Sequence, residues 1–93
     1  MDLPVDYDSL NAAERRVVRE LYIKRQEGNC YYCDEFLGAA PPERIMNLSV
    51  NWALFPPFFL KHPVHLQHNH DTGMTEGAVH AYCNAVMWQY EGR

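Results

Sequence analysis

Two short pairs of metal-ligating side chains, far apart in the sequence, limit this chain more than any other feature. Cys30-Tyr31-Tyr32-Cys33 lies in its first third and His80-Ala81-Tyr82-Cys83 near its end. In each pair two residues separate the ligands, a spacing that lets both side chains of one turn reach a single ion. Structural zinc sites are commonly assembled from two such pairs. A chain of 93 residues buries only roughly 60–65% of its unfolded surface, so a staple across the excursion from Cys33 to His80 supplies what a small core lacks. Structural zinc is therefore expected at Cys30, Cys33, His80 and Cys83, with His62 or His65 as alternatives to His80. An odd number of cysteines with no leading signal segment does not suit a secreted disulfide framework. The residues after Cys33 do not suit a redox fold, the other common use of C-x-x-C.

The flanking pattern predicts a single α+β domain over 1–93. Asn11 and Glu14 have capping-box spacing. Val17, Val18, Leu21 and Tyr22 then recur as one face of a helix that runs to about Gln26 and stops at Gly28. Residues 38–63 contain five of the six prolines and form an insertion of short, irregular structure. Its Leu48, Val50, Trp52, Leu54, Phe55, Phe58 and Phe59 are expected to pack over the metal site. A strand over Val64–His68, a turn at His70-Asp71-Thr72-Gly73, a return strand over Met74–Val79 and a helix from Ala81 to Tyr90 complete the order. Residues 1–10, acidic at Asp2, Asp6 and Asp8, are expected to be flexible. No apolar run approaches the ~20 residues of a membrane helix. The expectation is a protein of the reducing cytoplasm with no membrane partner.

The formal charge is −4, yet five of the eight basic residues, Arg15, Arg16, Arg19, Lys24 and Arg25, lie in one short segment. Such a cluster can contact phosphates, and it is equally the solvated face of an ordinary helix. The second constellation is His65-Leu66-Gln67-His68-Asn69-His70-Asp71, with Asn84 directly after Cys83. Phosphodiester hydrolysis needs a base for the attacking water and a cation for the charge that develops on the phosphate. Histidine supplies the first near neutral pH, and side-chain oxygens or imidazoles from strand and helix can hold the second.

The run His68-Asn69-His70-Asp71-Thr72-Gly73, then Gly77, then His80-Ala81-Tyr82-Cys83-Asn84, resembles the phage recombination endonuclease VII family of HNH nucleases. That family pairs C-x-x-C with a second C-x-x-C-N after a D-H-x-H…T-G…G stretch. The resemblance covers Cys30–Cys33 and about Leu66–Asn84. It implies a zinc-stapled ββα-metal (His-Me finger) domain preceded by a helix, with His68 as general base, Asn84 as ligand of a catalytic Mg²⁺ or Mn²⁺, and His70 as a supporting histidine. Gln67 would share the cation with Asn84, and Cys30, Cys33 and Cys83 fall on the structural zinc ligands. It further implies a DNA endonuclease, phage-encoded and acting in the bacterial cytoplasm; Arg15, Arg16 and Arg19 of the basic cluster are then the candidates for contacts to the DNA backbone. The chain departs from the pattern at four positions. Gln67 replaces a metal-binding acid, His80 a zinc cysteine, and Met74 and Glu76 a Lys and an Arg. Those losses favour the rival expectation, a catalytically silent zinc module that binds DNA or a protein. A homodimer is a third expectation, since a short acidic chain offers little surface to grip a duplex.

Overall fold

A computed structural model describes residues 2–93. The fold is α+β: helix α1 (Ala12–Arg25), a short helix α2 (Glu43–Met46), strands β1 (Val64–His68) and β2 (Thr75–His80), and helix α3 (Ala81–Glu91). Single 3-10 turns occur at Tyr7–Ser9 and Trp52–Leu54. The strands form a two-stranded antiparallel sheet.

Helix α1 begins where the capping box places it. Asn11 Oδ1 accepts from Glu14 N at 2.8 Å, and Glu14 Oε1 accepts from Asn11 N at 2.9 Å, so two otherwise orphaned N–H groups are satisfied. Its buried stripe is Val18 and Tyr22. Val17, expected on that face, is 53% exposed: at about 100° per residue it turns away from Val18 and Tyr22, and the half-buried Arg15 and Arg19 lie on the flank of the stripe instead. Val18 and Tyr22 join Leu66 of β1, Ala78 and Val79 of β2, and Cys83, Val86 and Met87 of α3 in one core.

The two halves of the chain meet along β2. The Gln26 side chain accepts from Ala78 N and donates to Ala78 O, both at 2.9 Å. Tyr31 N donates to the same carbonyl at 2.9 Å. The segment leaving α1 thus completes the hydrogen bonding of β2 and brings Cys30 and Cys33 beside His80. Gly77 makes that approach possible: a Cβ there would lie 2.7 Å from Tyr31 Cγ and 2.8 Å from its Cβ.

Two expectations are corrected. The N-terminal segment is tied down rather than loose: Thr75 N donates to Val5 O at 2.9 Å, Tyr7 N to Gly73 O at 2.9 Å, and Asp6 bridges to Met74. Leu10 is buried in the core. Met1 lies outside the described residues. The aromatic part of 38–63 does not cover the metal site. Tyr82 Oη donates to Leu48 O at 2.8 Å, and Gln89 Nε2 to Ser49 O at 2.9 Å. These bonds lay the segment on α3, where Trp52, Phe55 and Phe59 pack on one another and on Tyr82, Trp88 and His65. Only Leu48 and Val50 of the set reach the core.

Gly77→Ala is expected to destabilise the folded state by about 1–3 kcal/mol, since Tyr31 meets the new methyl with the base of its side chain, which cannot swing away. A urea titration of the metal-loaded protein measures this; an unchanged midpoint would contradict the close approach.

Candidate metal centre and adjoining cleft

The Cys30–Cys33 knuckle is shaped by its own backbone. Cys30 N donates to Glu35 O at 2.8 Å and Asp34 N to Cys30 O at 2.9 Å. Tyr32 N and Cys33 N point at Cys30 Sγ, at 3.4 and 3.5 Å. Across from it, β2 ends at His80 and α3 starts at once, placing Cys83 in the first helical turn. The three sulfurs and a ring nitrogen of His80 lie within 4.8 Å of one another, all four residues buried.

Their geometry fits a tetrahedral ion. Zinc–sulfur bonds of about 2.3 Å imply ligand–ligand edges of roughly 3.8 Å, slightly less to nitrogen. His80 Nδ1 is 3.4 Å from Cys33 Sγ and 3.7 Å from Cys83 Sγ. Its other nitrogen, Nε2, donates toward Phe36 O at 3.0 Å and Ala39 O at 2.8 Å. That outer pair fixes the tautomer and leaves the Nδ1 lone pair for a metal. The thiols are poised unequally. A hydrogen bond from Cys83, supported by backbone N–H groups, brings Cys30 down to about 4. Being that donor raises Cys83, and burial raises Cys33. The four residues form a buried Cys3His centre that could hold a structural zinc, with His80 as the histidine rather than His62 or His65.

Beside this centre, a cleft of about 640 Å³ runs between α1 and α3 with β1 at its base. It collects Gln67, His68, His70 and Asn84, together with Arg15 and Arg19. Arg16 is exposed and does not line it. Regular strand alternation would aim Gln67 and His68 at opposite faces. The β1–β2 register shifts between these two residues, the kind of irregularity that re-aims side chains, and both line the cleft. Asn69 serves the turn instead: its Oδ1 accepts from Asp71 N at 2.8 Å and Thr72 N at 2.9 Å.

Several polar groups in the cleft are held by neighbours. The Tyr7 ring stacks on His68 with centroids 4.0 Å apart and planes 14° from parallel. The Arg15 guanidinium carbon sits 3.9 Å from the Tyr7 centroid, and His70 leans on His68 from 4.8 Å. Burial, with His70 alongside, lowers the His68 pKa from its usual value, so the ring is neutral at pH 7. Asn84 Nδ2 donates to His65 Nδ1 at 3.1 Å; burial keeps His65 neutral and able to accept. The bond leaves Asn84 Oδ1 available to another partner. Gln67 is 1% exposed, and while its Nε2 donates to His68 O at 2.9 Å, its Oε1 is buried with no partner. An orphaned buried acceptor costs about 1–3 kcal/mol, a cost that a cation or a donor reaching it would relieve.

Tyr7 and His65 are the site residues that sequence reasoning left without a role in the cleft. Tyr7 lies 61 positions from His68 with no motif joining them, so no local signal marks it. His65 carried a signal, its place two residues before Gln67 on the same strand face, but its partner Asn84 comes from another element.

Metal analysis of the purified protein is expected to find one zinc per chain. A strong chelator should lower the melting temperature by roughly 15 °C or more, because several kcal/mol of binding energy are lost and each shifts the midpoint of a domain this small by about 4–8 °C. Melting that ignores the chelator would rule out a structural ion. No protein-family profile matches the chain, and no curated protein or solved structure matches it either.

Proposed function

We propose that the protein is a metal-dependent DNA endonuclease built as a zinc-stapled His-Me finger. The observation that carries this reading is the orphaned Oε1 of Gln67, buried at the base of a cleft that also holds the stacked His68 and the oriented Asn84. The resemblance to the endonuclease VII family assigns those same three positions to cation binding and general-base chemistry. In the proposed reaction, His68 takes a proton from water as the water oxygen attacks phosphorus. The phosphorus–oxygen bond to the leaving sugar breaks, and solvent protonates the leaving oxygen. Gln67 and Asn84 would hold the cation, which supplies charge neutralisation at the phosphate. His70 braces the base. Arg19 offers positive charge for the backbone, and Arg15, which donates to Tyr7 O at 3.2 Å, steadies the Tyr7–His68 stack.

The donor set bears on the metal. Among the described residues no carboxylate lines the cleft, whereas Mg²⁺ is usually held through one or two carboxylates. Amide oxygens beside imidazoles suit Mn²⁺ better, since it is softer than Mg²⁺ and accepts nitrogen as well as neutral oxygen ligands. The same missing carboxylate favours the second reading, a silent zinc module that binds DNA or a protein partner.

Supercoiled plasmid incubated with the zinc-loaded protein is expected to be nicked with Mn²⁺, less well with Mg²⁺, and not in EDTA. His68→Ala should slow nicking by at least about 100-fold, the usual contribution of a general base, with zinc content unchanged. Folded, zinc-loaded protein that nicks with neither metal would hand the case to the silent module. Gln67→Asp is expected to raise the Mg²⁺-supported rate several-fold relative to Mn²⁺; no change in the ratio of the two metals would remove Gln67 from the cation site.

A further inference from the structure

The cleft has two chemically different sides. Arg15 and Arg19 of α1 line one, and neither forms an ion pair among the described residues. Leu54, Phe55 and Phe59 of the proline-rich segment, with Trp88 of α3, line the other. Trp88 lies one helical turn beyond Asn84 on the same face of α3. The Phe55 ring meets it edge-on at 5.4 Å, and Phe59 continues the row to His65 at 4.7 Å. The row therefore runs from an open indole, 42% exposed, to the histidine that orients Asn84. Such a wall brings no benefit to a duplex, whose bases stack on one another. It offers a stacking face to a base that has left the helix. The charge distribution points the same way: duplex binders commonly neutralise roughly 6–10 phosphates, whereas this chain is acidic overall and sets two arginines at the cleft. A cleft of about 640 Å³ falls in the size range of small-ligand pockets, suited to a nucleotide unit.

We propose that the cleft takes an unpaired stretch of DNA, with one base stacked on the Trp88 indole and the adjoining phosphate drawn between Arg19 and His68. This rests on the nuclease reading for the fate of the phosphate, while the binding itself stands on the aromatic wall and the arginines. The substrate would then be single-stranded or locally unpaired DNA, and nicking of supercoiled plasmid would occur where the strands open.

Fluorescence anisotropy of zinc-loaded protein without added Mg²⁺ or Mn²⁺ tests it, using labelled dT12, a 12-base-pair hairpin and U12 RNA. dT12 is expected to bind at least tenfold more tightly than the hairpin. Trp88→Leu should weaken dT12 binding by about 5- to 150-fold, the range for one base–aromatic stack, at unchanged zinc content and hairpin affinity. Trp88→Phe, which keeps a ring, should recover part of the loss. Equal affinity for dT12 and hairpin, or unaltered dT12 binding by Trp88→Leu, would overturn the proposal. A tenfold preference for U12 over dT12 would overturn its assignment to DNA. These failures are separable from failure of the nuclease reading. Overturning the stack leaves His68-dependent nicking intact, and dT12 binding through Trp88 without any cleavage removes the nuclease alone.

Discussion

The convergence of three sulfurs and one imidazole is the interaction on which the rest of this fold depends. The sheet has only two strands, and the core draws few side chains from each element. What holds the segment after α1 against β2 is the pairing of Gln26 and Tyr31 with Ala78, and it is that docking which sets Cys30 and Cys33 beside His80 and Cys83. An ion at this point would join the end of α1 to the start of α3 and fix the angle at which α3 leaves the sheet. Asn84 follows Cys83 directly, so the position of the cleft is inherited from the metal centre. Loss of the ion would be felt at Asn84 before any other group in the cleft.

Within the cleft, the polar groups that the proposed reaction would use make few bonds of their own. Gln67 Oε1 is buried without a partner, His68 is held by stacking, and Asn84 is oriented through a single bond to His65. A stacked ring keeps both imidazole nitrogens available, which a hydrogen-bonded one would not. Arg15, Tyr7, His68 and His70 form a column in which each flat group limits the tilt of the next. The N-terminal strap, paired to Thr75 and Gly73, carries Tyr7 into that column. Segments far from the motif thus finish the site that the motif begins.

Local spacing made much of this legible. The two ligand pairs, the Asn11 capping box, the strand over Val64–His68 and the helix after His80 are each written in a few adjacent residues, and the structure has them where the spacing puts them. Non-local contacts were not legible. No pattern links Tyr7 to His68 or Gln26 to Ala78, since these depend on how the strap and the knuckle dock. Val17 faces solvent although periodicity weighs a valine above an arginine, and Arg15 and Arg19 lie half-buried on the protected flank. The aromatic segment differs from expectation for a related reason: aromatic content signals burial, but here backbone bonds to Tyr82 and Gln89 hold the rings along α3, leaving Trp88 open to solvent.

A crystal structure of the zinc-loaded protein soaked in Mn²⁺, with anomalous maps recorded at the zinc and manganese edges, is the most direct test of this account. Two separate ions are expected: zinc bonded to Cys30, Cys33, His80 Nδ1 and Cys83, and manganese bonded to Gln67 Oε1 and Asn84 Oδ1 with His68 left unligated. Manganese absent from the cleft, or bound with His68 as a ligand, would contradict the assignment of base and cation ligands on which the proposed chemistry rests.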